Sequence, residues 1–211
     1  MILFKDRAEA GKQLGEALKK ISLTGPLVVG LPRAGMVVAA AAAQILHTSI
    51  SIIIPRKIGA PGNPELAIGA LAGDEVILDQ ELIERLSVSK AYLQGEIAEE
   101  KREASRREAL YRKGRAPENW NGKSVFVIDD GIATGATMRA SLRYLKAQGV
   151  KRCIAAVPVA PAETVAQFKR EGEEILSLYS PEDFFAVGQF YESFPQVEDR
   201  EVIELLDRYG S

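Results

Sequence analysis

The chain has almost none of the residues that most often bind transition metals or form disulfides. Its 211 residues include one cysteine, Cys153, and one histidine, His47. These two residues cannot form a Cys/His metal cluster or a structural disulfide, and a lone thiol is typical of a reducing compartment. We expect Cys153 to fill the core on a strand and His47 to lie on the surface or in a loop after an apolar helix.

Long apolar segments and an excess of one charge are also lacking. The longest apolar run, residues 36–43, is too short to cross a bilayer, and charged residues interrupt the N-terminus where a signal peptide would be apolar. Lys and Arg number 27 and Asp and Glu 29, so no overall field attracts nucleic acid or anionic lipid. We therefore expect a cytoplasmic protein that binds neither nucleic acid nor membranes. A single domain over residues 1–211 would bury a full core.

The most informative stretch is a strand, a turn and a helix within residues 125–147. Four apolar β-formers, residues 125–128, indicate a strand buried on both faces, and residues 138–147 indicate a helix. The turn between them follows the carboxyl end of a strand, where open α/β sheets bind ligands. Its candidate ligand-binding residues are Asp129, Asp130, Ala133, Thr134, Gly135, Ala136 and Thr137.

The second half of this turn suits a phosphate group. Thr134 and Thr137 supply hydroxyls, and residues 134–137 supply backbone N–H groups at a helix N-terminus. Asp129 and Asp130 can accept hydrogen bonds from vicinal hydroxyls or hold a hydrated divalent cation. A ligand with a phosphate group beside two neighbouring hydroxyls would match this turn, and ribose 5-phosphate is such a ligand. The alternative is that the aspartates only cap the helix and the glycines only turn the chain.

Other phosphate-binding turns fit this stretch less well. It lacks the lysine of a nucleoside-triphosphate P-loop, and no G-x-G-x-x-G opens the helix. A phosphatase with an aspartate nucleophile would have Asp-x-Asp rather than the adjacent pair Asp129 and Asp130. An apolar strand, Asp-Asp, three residues and Thr-Gly-x-Thr instead resembles the signature of type I phosphoribosyltransferases, which bind 5-phosphoribosyl 1-diphosphate (PRPP).

This resemblance implies an α/β fold with a doubly wound, mainly parallel sheet of about five strands flanked by helices. It also implies an enzyme of nucleotide metabolism that uses Mg²⁺ and transfers ribose 5-phosphate from PRPP to a nitrogenous acceptor, releasing diphosphate. Asp129 and Asp130 would contact the ribose and the metal shell, and residues 133–137 would bind the 5′-phosphate. The alternation of strands and helices across residues 152–179 favours the same parallel sheet.

A second strand-to-helix turn follows the predicted strand at residues 27–30. Its candidate residues are Pro32, Arg33 and Ala34, where small residues let backbone approach a ligand and Arg33 supplies a cation. In the resembled family the equivalent turn cradles the diphosphate of PRPP and often contains a cis peptide that does not precede proline. By that match we predict a cis bond between Pro32 and Arg33. An ordinary loop with a surface arginine is the alternative.

The next predicted strand, residues 49–54, is followed by Arg56 and Lys57. These cations before the glycine- and proline-rich residues 59–64 indicate a mobile lid that carries positive charge to an anion. The pair is similar to one at the base of the catalytic loop in orotate and adenine phosphoribosyltransferases, which implies a catalytic role. A solvated charge pair beside a polar hairpin turn is the alternative. Glu65, on the same loop, is either a proton carrier or a surface carboxylate.

Two further segments are predicted outside the sheet. Residues 80–115 indicate a charged helical insertion with a thin apolar stripe, which packs either on the core or on a second subunit of a homo-oligomer. Residues 181–196 resemble the hood of hypoxanthine-guanine phosphoribosyltransferases, in which an aromatic before Val-Gly stacks on the base. Phe185 matches that position best and Phe184 second, whereas burial of the end of the domain is the alternative.

The acceptor is not defined by the sequence. The 6-oxopurine enzymes carry a lysine just after the strand that corresponds to residues 153–159, whereas this chain has Ala160 and Pro161 there. Purine, pyrimidine, pyridine carboxylate and non-nucleobase amine acceptors therefore all stay open. The main alternative function is a regulatory protein that binds PRPP or a nucleotide without transferase activity, and a third is an interaction module built on the charged helix.

Overall fold

The computed structural model describes residues 2–210, apart from the side chain of Glu65. The helices are α1 (Arg7–Leu18), α2 (Gly35–Leu46), α3 (Gln80–Arg85), α4 (Lys90–Arg112), α5 (Ala136–Ala147), α6 (Ala162–Arg170) and α7 (Asp199–Tyr209). The strands are β1 (Leu27–Gly30), β2 (Ile50–Ile52), β3 (Pro55–Ala60), β4 (Asn63–Ala72), β5 (Glu75–Leu78), β6 (Ser124–Ile128), β7 (Arg152–Val159) and β8 (Glu174–Tyr179). Within this described part, none of the helices has both the length and the apolar character to cross a membrane.

Five parallel strands form the central sheet, in the order β2-β1-β6-β7-β8. Alternate side chains of the strands enter two apolar clusters, one shared with α1, α2 and α7 and the other with α5 and α6. Because both faces are covered, β1 and β6 are buried throughout, which explains their uninterrupted apolar sequences. Cys153 fills the core on β7, and His47 ends α2 in a left-handed conformation, both as expected. The predicted doubly wound parallel sheet is confirmed.

The strand order reverses between β1 and β6. The chain adds β2 on one side of β1 and later returns to place β6 on the other side. Since β1 and β6 run parallel with Gly30 opposite Ile128, their carboxyl ends are neighbours. Such a switch point opens a crevice in which α/β proteins bind ligands. The two turns singled out in the sequence therefore begin side by side.

The predicted lid is a β-hairpin, which is the secondary structure of the alternative given in the sequence analysis. Residues 59–64 are not an irregular loop, because β3 and β4 pair antiparallel across a turn at Pro61 and Gly62. Gly62 has a φ of +73°, as a proline-glycine turn requires. Gly59 packs so closely on Pro64 that a Cβ there would lie 2.8 Å from Pro64 Cα. The glycines and prolines thus build a bulged hairpin, which β5 extends to a three-stranded sheet.

The charged insertion consists of α3 and α4. The apolar stripe of α4 packs on the three-stranded sheet of its own chain through Leu93, Ile97 and Ala104. Its solvent face carries arginine and glutamate three or four residues apart, such as Arg106 with Glu103 at 2.7 Å. Of the two alternatives for the stripe, the structure shows packing on the chain's own core, and the arginines are paired along the helix itself.

Close packing of α1 on α2 makes Gly11 a test of the fold. A Cβ on Gly11 would lie 2.5 Å from the carbonyl oxygen of Val38, whereas nothing lies within 4 Å of a Cβ on Gly95 in α4. Gly11→Ala should lower the free energy of unfolding by about 1–3 kcal/mol, because the backbone of α2 must move. The matched control Gly95→Ala should raise it by about 0.5–1 kcal/mol. Urea denaturation measures both, and a stabilised Gly11→Ala variant would contradict the packing.

Candidate functional site

The two turns predicted to bind a ligand touch each other. We call residues 31–34, between β1 and α2, the cis turn, and residues 129–137, between β6 and the start of α5, the motif turn. The peptide bond between Pro32 and Arg33 is cis, as predicted. A Cβ on Gly35, which follows the cis turn, would lie 2.7 Å from Asp129 Oδ1 and 2.9 Å from Asp129 Cα. Only glycine permits this approach, which joins the cis turn to the first aspartate of the motif turn.

The motif turn leaves the start of α5 accessible to an anion. Gly135 is the N-cap residue with a φ of +81°, and no side chain in the described part of the chain caps this helix. The backbone N–H groups at Ala136 and Thr137 belong to the first helical turn, so the helix itself supplies no partner for them. Ala133 and Thr134 are exposed. Together with the positive end of the helix dipole, this arrangement favours a phosphate group.

Interactions on the protein side hold the motif turn in place. Thr164 Oγ1 on α6 donates to the carbonyl oxygen of Ala133 at 2.9 Å. Arg139 Nη1 on α5 donates to the carbonyl oxygen of Thr134 at 2.7 Å, and its guanidinium carbon lies 4.2 Å from the ring centroid of Phe168. Because these carbonyl oxygens are satisfied by the protein, the turn presents its N–H groups to a ligand.

The two aspartates of the motif turn have different surroundings. Asp129 is half-buried, and its Oδ1 accepts the backbone N–H of Asp130 at 2.8 Å. Asp130 is only 9% exposed, and its Oδ2 accepts the Nε–H of Arg7 at 2.8 Å. Burial, followed by the charge of Asp130, raises the pKa of Asp129 well above its ordinary value. Burial also raises the pKa of Asp130, and Arg7 opposes that rise. A cation or a ligand hydroxyl beside Asp129 would offset the cost of its charge.

Arg7 and Tyr191 were not identified as site residues from the sequence, although both bind Asp130. The hydroxyl of Tyr191 donates to the backbone carbonyl oxygen of Asp130 at 2.6 Å. Arg7 lies 123 residues from Asp130 and Tyr191 lies 61 residues away, so no local pattern pairs them. The cap at Asp6, which accepts the N–H of Glu9, marks the start of α1 but not the partner of its first residue. Burial of a charged residue such as Arg7 would have marked it as a site residue. That burial arises only once the hood, residues 181–196, has folded against α1.

The predicted cations lie on two elements, the cis turn and β3, and both arginines are paired with carboxylates. Arg33 Nη1 lies 3.7 Å from Asp199 Oδ1 on α7. Arg56 Nε donates to Glu100 Oε2 on α4 at 2.5 Å. Lys57, the next residue on β3, also interacts with another group of the protein. Both arginines would have to leave or share these carboxylates in order to bind a diphosphate.

The hood lies over the motif turn. A Cβ on Gly131 would lie 2.5 Å from Val187 Cγ1, so the two segments are in direct contact. The ring of Phe185 is 92% exposed, while its backbone N–H donates to Gln189 Oε1 at 2.8 Å. Phe184 instead packs on another aromatic ring of the hood, with centroids 5.3 Å apart. Of the two candidate stacking residues, only Phe185 therefore presents its ring to solvent, and the hydrogen bond to Gln189 holds its backbone.

The protein groups at the motif turn fit a cation that arrives with its ligand. Among the described residues, no three carboxylate, imidazole or thiolate groups are placed to hold a metal. Asp130 is paired with Arg7, which leaves Asp129 to meet a cation. Mg²⁺ is commonly bound through one or two carboxylates together with waters and substrate phosphates. The side chain of Glu65, the remaining candidate carboxylate, lies outside the described part of the structure.

Comparison with known proteins gives a family match and close structural similarity. The model of the phosphoribosyl transferase domain matches residues 4–173. A Mycobacterium tuberculosis protein, provisionally named a phosphoribosyl transferase, is 38% identical over 209 residues, which is 99% of this chain and 47% of that protein. The chain thus spans about half the length of the curated relatives it matches.

Two solved structures illustrate the likeness of fold. The crystal structure of TT1426 from Thermus thermophilus is 38% identical over the whole of both chains, with a TM-score of 0.83. The purine phosphoribosyltransferase from Pyrococcus horikoshii is 15% identical, with 91% of this chain and 92% of that chain covered and a TM-score of 0.51. At that identity the second likeness concerns the fold alone.

Thr164→Val tests the support of the motif turn. Valine keeps the shape of the side chain but loses the hydrogen bond to Ala133, so we expect about 1 kcal/mol less stability and faster amide exchange at residues 133–137. Thr48→Val is the matched control, because Thr48 Oγ1 donates to the carbonyl oxygen of Pro26 at 2.7 Å, before β2 and away from the turn. It should lose similar stability without faster exchange there. Equal exchange in the two variants would refute the supporting role of Thr164.

Proposed function

The chain belongs to the phosphoribosyl transferase domain family, and from that premise we propose that it transfers ribose 5-phosphate from PRPP to a nitrogenous acceptor. The observation that carries this proposal is the contact of the cis turn with the motif turn at the switch point of the sheet. This contact supports the proposal because the uncapped start of α5, the Asp129 carboxylate and the arginine-bearing cis turn then lie around one crevice. PRPP carries the matching groups, which are a 5′-phosphate, ribose hydroxyls and a diphosphate.

Each turn would bind one part of PRPP. The N–H groups and hydroxyls of residues 133–137 would anchor the 5′-phosphate, and Asp129 would accept hydrogen bonds from the ribose. The cis turn with Arg33 would face the diphosphate, and Arg56 and Lys57 of the hairpin would add positive charge. Mg²⁺ carried by PRPP would stabilise the charge that develops on the departing diphosphate.

The proposed reaction breaks the bond between C1 of the ribose and the diphosphate oxygen and forms a bond from C1 to the acceptor nitrogen. The diphosphate leaves with the electron pair of the broken bond, and C1 passes through an oxocarbenium-like state. Binding the departing anion therefore matters more than activating a strong nucleophile. The hairpin would exclude water, which otherwise hydrolyses PRPP. Glu65 would take the proton that the acceptor nitrogen loses.

A regulatory protein that binds PRPP or a nucleotide without transfer is the second candidate. The pairing of Arg33 with Asp199 and of Arg56 with Glu100 favours it, because these cations are not free to meet a diphosphate. Diphosphate release from Mg-PRPP, measured with a panel of purines, pyrimidines, pyridine carboxylates and amines, distinguishes the two candidates. A transferase releases diphosphate with at least one acceptor. Tight binding without release across the panel would overturn the transfer proposal.

Asp129→Asn tests the ribose site. The side chain keeps an oxygen for the N–H of Asp130, so the fold should persist. Loss of charge-assisted hydrogen bonds worth about 1.5–3 kcal/mol should weaken Mg-PRPP binding roughly 10- to 100-fold in calorimetry. Asp74→Asn, which changes an exposed carboxylate between β4 and β5, is the control and should leave the affinity unchanged. Equal affinities for Asp129→Asn and wild type would rule out the assigned role.

Phe185→Ala tests the acceptor site. Because the ring is 92% exposed, its removal should leave the free energy of unfolding nearly unchanged. Stacking on a base is worth about 1–3 kcal/mol, so the KM for a heterocyclic acceptor should rise roughly 5- to 100-fold while PRPP affinity stays constant. Phe184→Ala is the contrast, since its packing within the hood predicts lost stability. An unchanged acceptor KM would remove Phe185 from the acceptor site.

A further inference from the structure

A buried arginine joins three parts of the chain around Asp130. Arg7 Nε donates to Asp130 Oδ2 at 2.8 Å, and Arg7 Nη1 donates to the carbonyl oxygen of Pro195 at 2.6 Å. The guanidinium carbon lies 3.7 Å from the ring centroid of Phe194. Arg7 is 7% exposed and Asp130 is 9% exposed. The first residue of α1, the motif turn and the hood therefore meet at one ion pair.

The backbone of Asp130 is held from the same side. Tyr191 is 5% exposed, and its hydroxyl donates to the carbonyl oxygen of Asp130 at 2.6 Å. The hood that carries Tyr191 is fixed in turn to the N-terminal segment, since the N–H groups of Leu3 and Phe4 donate to the carbonyl oxygen of Phe190 at 2.9 and 3.0 Å. Both the side chain and the main chain of Asp130 are thus bound to the hood and α1.

Ligand hydroxyls would compete with different donors at the two aspartates. At Asp129 one carboxylate oxygen accepts from a neutral donor, the backbone N–H of Asp130. At Asp130 one carboxylate oxygen accepts from the charged guanidinium of Arg7. The acceptor is a carboxylate in both cases, but the guanidinium adds its own positive charge, and a backbone N–H does not, so Asp130 is attracted to its donor more strongly. The Asp129 carboxylate is therefore the more available acceptor for a ribose.

We propose that the two aspartates have separate tasks: Asp129 binds the ribose hydroxyls, and Asp130 with Arg7 forms an internal anchor. The anchor fixes the motif turn and the hood relative to each other, so Arg7 is a positioning residue that acts on PRPP through Asp129. Removing one partner of a buried pair leaves an uncompensated charge, whereas removing both does not. This inference rests on the proposed function.

Four variants test the inference by calorimetry with Mg-PRPP. Binding is measured well below the unfolding midpoint of every variant, so that a loss of stability alone does not change the affinity. Asp129→Asn should weaken binding at least tenfold. Asp130→Asn should stay within about threefold of wild type, because the amide oxygen of asparagine can still accept the hydrogen bond from Arg7 Nε, and Arg7 keeps its contacts with Pro195 and Phe194. Arg7→Met should weaken binding about tenfold or more, because the unpaired Asp130 carboxylate leaves its position. The double variant Arg7→Met/Asp130→Asn should recover to within about threefold of wild type.

A surface pair supplies the matched control. Arg200 Nε lies 2.8 Å from Glu204 Oε1 on α7, with side chains that are 88% and 60% exposed. Arg200→Met should leave both the affinity and the unfolding midpoint unchanged. If Arg7→Met does not fold, Asp130→Asn decides the matter alone, because it retains Arg7 and removes only the charge of its partner.

The possible failures are distinguishable. Asp130→Asn losing as much affinity as Asp129→Asn would make Asp130 a ribose ligand and overturn the division of tasks. A folded double variant that binds no better than Arg7→Met would also overturn it. If the wild type does not bind Mg-PRPP, the proposed function fails and this inference falls with it. Retained binding in Asp130→Asn, lost binding in Arg7→Met and recovery in the double variant together support the anchor.

Discussion

The close approach of Gly35 to Asp129 is the constraint on which the site depends. It follows from the parallel pairing of β1 with β6, since the chain leaves both strands at the same edge of the sheet. A side chain at Gly35 would meet both the carboxylate and the backbone of Asp129, so the distance between the two turns is set by the absence of a Cβ. A ligand that spans both turns therefore encounters a fixed separation between its binding groups.

The polar groups that support this crevice lie behind the motif turn. Thr164 and Arg139 satisfy the carbonyl oxygens of Ala133 and Thr134, while Arg7 and Tyr191 hold Asp130. The first pair comes from helices that follow the turn in sequence, and the second from the N-terminus and the hood. The proposed phosphate end of the site is supported locally, whereas the proposed ribose end depends on contacts distant in sequence. A change in the hood would accordingly act on the ribose end.

The parts of the fold that follow from short-range patterns were predicted from the sequence. The four β-formers of β6 and the small residues after β1 were sufficient to locate both turns, and the family resemblance added the cis bond at Pro32. The β3–β4 hairpin was given only as the alternative to a mobile lid, because glycine and proline, which usually interrupt strands, here form a bulge and a turn. The anchor at Arg7 was missed because it depends on burial by segments far away in the chain. The contrast between Phe184 and Phe185 likewise depends on packing within the hood.

The central claim is that the cis turn and the motif turn bind one ligand together. Its most direct measurement is a set of calorimetric titrations of the wild-type protein with Mg-PRPP, with ribose 5-phosphate and with Mg-diphosphate. Joining two binding groups in one molecule at the right separation raises affinity by about 100-fold or more over either group alone. We predict that PRPP binds at least about 100-fold more tightly than the better of the two fragments. PRPP that binds no more tightly than ribose 5-phosphate would contradict the account, because the cis turn would then take no part in binding.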